Sequence, residues 1–313
     1  ELACTAVALA SPSAGSASVI TAADFGGFDT DQRAATVLAL AAFSSVANLV
    51  FNQVTPVGGG GTLRFSFTGP PGIDEDTAAY SILPMQTADS GDTFFNASSI
   101  SESFAPGTQN FLTLTHETGH ALGLKHPFDK AVLDGDPEGW PANDTTLAHT
   151  GEGILGEFST SDTVMAYNDL PGVVSTSDAR FAPTTLMRFD IQALQYIYGA
   201  NFGYNAGDTQ YSFTTGQQIH QTIWDGGGND TLSVSGLGAS TISLVPGTWS
   251  EIGAPLLYWK NDTVSNPQTL FIYDTVTIEN AVGGAGDDVI TGNAANNRLT
   301  GNGGDDALIG GAG

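Results

Sequence analysis

The run HETGHALGLKH, residues 116 to 126, predicts a helix that has to stop at a defined place. On a helix His116 and His120 lie one turn apart on the same face, so both imidazoles reach one ion from a single rigid element. Glu117 sits on the shoulder of that face. It is near enough to handle a water on the ion without sharing the direction of the two histidines. If the helix continued at 100° per residue, His126 would point about 240° away from them. A chain reversal brings it back, and Gly123 is placed to supply one, because glycine accepts the left-handed conformation that ends a helix. Three histidines with an open coordination position form the catalytic pattern for zinc, in contrast to the closed structural one.

The short string HExxH arises by accident in many chains. The extended string adds a glycine and a third histidine at fixed positions, and at average residue frequencies it arises by chance in on the order of one chain in 10^5. Three of the five histidines of the chain fall inside it.

This run resembles the zinc signature of the metzincin endopeptidases, whose second mark is a tight downstream turn carrying a methionine below the metal. The segment SDTVMAYND, residues 161 to 169, is similar to that turn, with Met165 at the methionine. In the serralysin branch of the clan, and in astacins, a tyrosine two residues on is a fifth zinc ligand that swings away to hydrogen-bond the tetrahedral intermediate. Tyr167 has that spacing; a half-buried aromatic is the alternative reading. The resemblance therefore implies zinc on His116, His120, His126 and Tyr167, with Glu117 taking the proton of the zinc-bound water and passing it to the leaving amine. Tyr167 would steady the oxyanion, while Gly123 and Met165 serve structure.

Composition sets the surroundings. A chain of 313 residues with 41 % apolar content can bury a sizeable core and divide into two domains. Eight basic against 33 acidic residues give a formal charge of −25. That excludes a phosphate-binding footprint, hence nucleic acid as a partner, and suits the capture of hard cations by carboxylates. Cys4 is the single cysteine, so there is no intrachain disulfide framework. A small buried hydrophobe or free thiol is its plain reading, and a thiolate holding a zinc site latent is the sharper one, although ELACTAV matches no such latency motif. The opening LACTAVALA lacks a basic leader, so it is not read as an intact signal peptide, and the start at Glu1 points to processing upstream. No apolar stretch reaches the 18 residues of a membrane span.

Along the chain, Asp29 or Thr30 can cap a helix running to about Leu49, with Ala34, Val37, Leu38, Ala41 and Ala42 at helical spacing. The β-prone runs TLRFSF, AAYSIL and DTFFN follow from Thr62, Ala78 and Asp92. By resemblance, the segment Gly91 to Ser98 is the edge of the cleft, where Thr93, Phe94, Phe95 and Asn96 pair with an extended substrate. A core strand is the alternative. From Leu186 a further helix runs to Gly199, with Arg188 and Asp190 read as solvation or capping residues. His149 and His220 read as surface or loop histidines. The acidic stretch DGDPEGWPAND after Leu133 is open to reading as a lid, a calcium loop or a solvated excursion.

From Gly283 the sequence becomes GGAGDDVIT, GNAANNRLT, GNGGDDALI and GGAG, nonapeptides in unbroken register. Glycines allow tight turns with inward carbonyls, the sixth position supplies a carboxylate, and the eighth packs inside a parallel β-roll. Asp288 and Asp306 hold the sixth position; Ile290, Leu299 and Leu308 hold the eighth. Calcium suits such oxygen-rich turns, with Gly283, Gly284, Gly286, Asp288, Gly301, Gly303 and Asp306 as candidate ligands. The middle repeat has Asn297 at the sixth position and Ala294 and Ala295 before it, which predicts a weak or absent ion. An earlier run from Asp225, DGGGNDTLS, resembles the first calcium turn of serralysins, with Asp225, Gly227 and Asp230 as candidates. Complete serralysins continue past the repeat at Gly313, so the chain is expected to be naturally short, proteolysed or truncated.

The expected fold is α+β metzincin-like over residues 1–205, with 1–20 an N-terminal extension or residual propeptide, followed by an all-β parallel β-roll over 206–313. The expected activity is that of a secreted, bacterial-type extracellular endopeptidase using Zn2+, stabilised by Ca2+ and acting on protein or peptide substrates. It would be a monomer without a membrane span, with a proteinaceous inhibitor as a further partner. Two alternatives stay open: a calcium-binding surface or matrix protein with a vestigial zinc fold, and a narrow-specificity, self-processing metzincin.

Overall fold

A reciprocal cap starts the first helix. The Asp29 carboxylate accepts from the Gln32 backbone N–H at 2.9 Å, and the Gln32 side chain accepts from the Asp29 N–H at 2.9 Å. Two donors that a helix start leaves open are thereby satisfied. This helix, α1 (Thr30–Val46), follows β1 (Ser18–Gly26) and stops short of the expected Leu49, which instead begins β2 (Leu49–Gln53). The buried face also differs from the expected one. Ala35, Ala39, Leu40, Phe43 and Val46 are buried, whereas Val37 and Leu38 are exposed. Alanine makes α1 apolar on every side, and the side carrying the large Phe43 and Leu40 removes more area from water when it turns inward.

The computed structural model describes residues 18–53, 63–69, 72–84, 89–100, 103–127, 158–167, 181–257 and 265–313, with the backbone alone at 18–26 and 265. The expectations placed on Cys4, on most of the N-terminal extension, on the acidic stretch after Leu133 and on His149 lie outside the described residues. The chain divides into two compact units, Glu1–Ser177 with Phe189–Ala200, and Asp178–Arg188 with Asn201–Gly313.

In the first unit β3 (Leu63–Thr68), β4 (Ala79–Ser81) and β5 (Asp92–Asn96) complete a five-stranded sheet of order β2-β1-β3-β5-β4. All its pairings are parallel except β4 with β5. The expectation that Thr93, Phe94, Phe95 and Asn96 form a free cleft edge is therefore corrected: β5 is enclosed by β3 and β4. Its residues Asp92, Thr93, Phe95 and Asn96 are buried, as a run without polar alternation requires when both faces are covered. The edge is β4. Beneath the sheet, the rings of Phe28 and Phe95 lie 5.6 Å apart and those of Phe95 and Phe104 5.8 Å apart. Each buried phenylalanine contributes about 1.5–3 kcal/mol. Among the described residues two more helices follow, α2 (Gln109–Ala121) and α3 (Arg188–Tyr198), the latter ended by Gly199 at φ +78°.

The second unit is built from strands, with β6 (Gln210–Thr214), β7 (Gln221–Ile223), β8 (Thr231–Ser235) and β9 (Thr241–Ser243) first. The short β10 (Trp249–Ser250), β11 (Leu256–Leu257) and β12 (Ser265–Asn266) make an excursion before β13 (Leu270–Ile272). The last four are β14 (Asn280–Val282), β15 (Val289–Thr291), β16 (Arg298–Thr300) and β17 (Ala307–Ile309). One strand per nonapeptide explains their placement. They alternate between two parallel sheets, β16-β14-β8-β6 and β17-β15-β9, so every second repeat pairs in register, Asn280 with Arg298 and Val289 with Ala307. Leu232, Ile242, Ala281 and Ile290 are fully buried between them. The inward role expected of the eighth position fades along the chain: Leu299 is half-buried and Leu308 is 48 % exposed, because β17 has a neighbour on one side only. His220, expected at the surface or in a loop, lies in the loop before β7 and is buried.

Candidate metal centre

Thr108 caps α2 by accepting from the Phe111 N–H at 3.2 Å, and the helix carries His116 and Glu117 into a buried environment. It ends where the sequence requires. Gly123 has φ +96°, the Gly123 N–H donates to His120 O at 2.8 Å, and the Leu124 N–H donates to Gly119 O at 2.9 Å. This reversal does two things. It returns His126 to the other histidines, and it presents the Leu124 carbonyl to His120 Nδ1 at 2.8 Å.

His116 Nδ1 meets another backbone carbonyl, Val164 O, at 2.9 Å. A carbonyl only accepts, so both Nδ1 atoms carry the proton and both Nε2 lone pairs face inward. Nε2 of His126 lies 3.2 Å from Nε2 of His116 and 3.0 Å from that of His120. The ligand atoms of the three residues all lie within 4.8 Å of one another. Bonds of about 2.0–2.1 Å at tetrahedral angles put ligand nitrogens about 3.3 Å apart, so the set fits zinc. One His126 proton cannot satisfy two inward lone pairs, whereas a cation satisfies all three.

Glu117 stands beside this cluster, buried, and among the described residues its Oε2 has no hydrogen-bond partner. Burial pushes its carboxyl up to about 7, against a weaker downward pull from Ser81. The Ser81 hydroxyl also donates to the Glu117 backbone carbonyl at 2.8 Å, which ties the sheet edge to the helix. Met165 is buried under α2: a Cβ added to Gly119 would lie 2.7 Å from its sulfur. The Tyr167 ring is 43 % exposed, 4.6 Å from the ring of His126 and 5.6 Å from that of His116. His116, Glu117 and Tyr167 border a cleft of about 450 Å³ that reaches to Asp76–Ala79 at the sheet edge.

The turns of the second unit show what its carboxylates do. Asp288 accepts from the Ser240 N–H with one oxygen and from the Gly284 N–H with the other, both at 2.7 Å. Asp306 accepts from the Asp288 N–H at 2.9 Å, so the sixth position braces one coil against the next. The Gly303 N–H donates to Gly284 O at 3.3 Å, and Gly283 O accepts from Asn302 Nδ2 at 2.7 Å, which occupies one lone pair of that candidate ligand. A Cβ on Gly286 would lie 2.6 Å from Gly238 O, and one on Gly301 would collide with the Asp306 carboxylate. Asn297 closes its own turn: Oδ1 accepts from the Asn293 N–H at 2.7 Å, and Nδ2 donates to Glu279 O at 3.0 Å and Asn293 Oδ1 at 2.9 Å. The amide thus binds the inward oxygens of this turn without an ion.

Asp230 is fully buried, with Oδ1 accepting from the Thr209 N–H at 2.8 Å and Oδ2 without a hydrogen-bond partner among the described residues. Burial pushes its carboxyl up to about 6, with Asp225, Glu279 and Asp208 adding to the rise. Asp225 is held by the Tyr211 hydroxyl at 2.5 Å and the Gly227 N–H at 2.6 Å. Such a crowd of carboxylates fits a hard cation. Sequence reasoning had missed Asp208, Glu279, Ser81, Gly119 and Thr163. Only Gly119, inside the zinc string, carried a local signal; the others become neighbours through strand pairing or chain reversal.

Residues 188–309 match the protein family described as peptidase M10 serralysin C terminal. Metallopeptidase AprA of Pseudomonas marginalis is 34 % identical over 292 residues, covering 87 % of this chain and 56 % of that protein. Serralysin G of Dickeya chrysanthemi is 32 % identical over 296 residues, covering 86 % of this chain and 55 % of its own length. The chain thus spans about half the length of these relatives.

Proposed function

This chain is a relative of the serralysin metalloproteases along most of its length, and from that premise we propose that it is a secreted zinc endopeptidase stabilised by calcium. Residues 1–205 are the peptidase part and residues 206–313 the calcium part. The single observation that carries the reading is the convergence of the His116, His120 and His126 Nε2 atoms beside a buried carboxyl in an open cleft.

Those three nitrogens would hold zinc, whose chemistry when bound would be Lewis acidity towards a water and a carbonyl. Glu117 takes a proton from the attacking water and returns it to the departing amine; its Oε2, free of other hydrogen bonds among the described residues, is suited to the task. Tyr167, whose ring lies beside those of His116 and His126, would donate its hydroxyl to the oxyanion and would be a further ligand to the metal. The main chain of β4 receives the substrate. Ala78 and Ile82 bond to β5, so the alternation of an antiparallel strand turns Ala79 and Ser81 outward along the cleft. Pairing through main-chain groups favours protein and peptide substrates without strong side-chain selection. The partners are such substrates and a proteinaceous inhibitor, the working form is a monomer outside the cell, and Asp225, Asp230 and Glu279 hold one calcium while the 283–288 and 301–306 turns hold more.

Casein hydrolysis and zinc content measured together test the reading, with calcium in excess. Glu117→Gln should retain zinc and lose about 10^2–10^4-fold in rate. Zinc without hydrolysis in the unaltered chain would count for the vestigial alternative, and neither zinc nor hydrolysis would end the enzyme reading.

A further inference from the structure

Asp190, on the first turn of α3, is fully buried and bonded to another segment, in contrast to the solvation or capping expected of it. Its Oδ1 accepts from the Thr163 hydroxyl at 2.5 Å and its Oδ2 from the Val164 N–H at 2.8 Å. The same Thr163 oxygen accepts from the Met165 N–H at 3.1 Å. The Met165 N–H and the Val164 carbonyl belong to one peptide unit, and that carbonyl faces His116 Nδ1 at 2.9 Å. A continuous chain of hydrogen bonds therefore runs from a buried carboxylate, through a hydroxyl and a peptide, to an imidazole of the metal centre. Each bond in such a chain polarises the next.

We propose that Asp190 is a positioning residue for the metal centre: through Thr163 and the 164–165 peptide it fixes the direction of His116 and strengthens its Nε2 as a ligand. Carboxylates that bond a ligating histidine directly do this elsewhere; here a hydroxyl and a peptide stand between. The carboxylate also holds the Met165 turn to α3, supported by the Phe189 N–H donating to Asp162 O at 3.0 Å. The inference rests on the zinc reading of the three histidines.

Zinc affinity by competition with a chromophoric chelator, and the visible spectrum of the cobalt-substituted protein, test it on the unaltered chain and on Asp190→Asn, Thr163→Val and Thr163→Ser. Asp190→Asn and Thr163→Val should each weaken zinc about 10–100-fold and alter the cobalt bands, while Thr163→Ser, which keeps the hydroxyl, stays within about threefold. If Asp190→Asn does not fold, Thr163→Val carries the test, since Asp190 keeps its bond from Val164. Unchanged affinity and spectrum in Thr163→Val overturn the inference, and so does an equal loss in Thr163→Ser. An unaltered chain that binds no zinc removes the zinc reading and this inference with it, whereas zinc binding that no substitution disturbs removes the inference alone.

Discussion

His220 shows how much one buried side chain can tie stability to pH. It is 1 % exposed, and burial lowers its pKa to about 4, against a smaller opposing pull from a bond with the Phe181 backbone. Above pH 6.5 the histidine is neutral in both folded and unfolded chains and shifts nothing. Below it the unfolded chain takes up a proton that the folded chain refuses until about pH 4, so stability is lost as pH falls through that window. The loss reaches about 2 kcal/mol at pH 5 and about 3 kcal/mol at pH 4. Urea unfolding at pH 7.5 and 5.0 should show His220→Gln losing about 2 kcal/mol less than the unaltered chain; equal losses would mean the histidine accepts its proton in the fold. Nothing around His220 in sequence marks it as buried. The three histidines of the candidate metal centre were legible because their geometry is local, one helix turn and one reversal within eleven residues. Asp190 and Thr163 were not, being 27 residues apart in the chain and bonded only once the fold is made.

Elements were legible where local chemistry decides them. The end of α2 could be read from Gly123, while the buried face of α1 could not be read from spacing, since Leu38 and Leu40 fit a helical stripe equally well and only the larger Phe43 decides. The inner position of β5 was equally hidden, because DTFFN reads the same in any strand buried on both faces. Gly123 offers a sharp test at this scale. A side chain at φ +96° costs about 1–2 kcal/mol. The reversal also carries the Leu124 carbonyl that orients His120 and the backbone that returns His126. Gly123→Ala should therefore lower the melting temperature by a few degrees and weaken zinc about tenfold or more, a combined loss that ordinary surface glycines do not produce. Unchanged zinc affinity in a chelator competition would show that the third histidine reaches the site without the left-handed turn.

Across the whole molecule, the net charge and the proposed calcium sites are one problem. With a formal charge of −25, the chain repels itself, and part of that charge is packed close together where Asp208, Asp225, Asp230 and Glu279 meet. Cations bound there would turn this repulsion into attraction, since a ligand held only by the folded state adds about 2.7 kcal/mol per site at a hundredfold excess over its dissociation constant. Asp288 and Asp306 carry part of the load without any ion, through bonds to the N–H groups of Ser240, Gly284 and Asp288. Asn297 does the same with an amide. The coils should therefore loosen on chelation without vanishing. Ordinary salt also relieves repulsion between exposed charges, so the decisive comparison is thermal unfolding in calcium against sodium chloride at equal ionic strength, after treatment with a calcium chelator. Calcium should raise the melting transition by several degrees beyond sodium, and Asp230→Asn should remove much of that difference. Equal protection by both salts would mean that the carboxylates need screening alone and that the turns bind no specific ion.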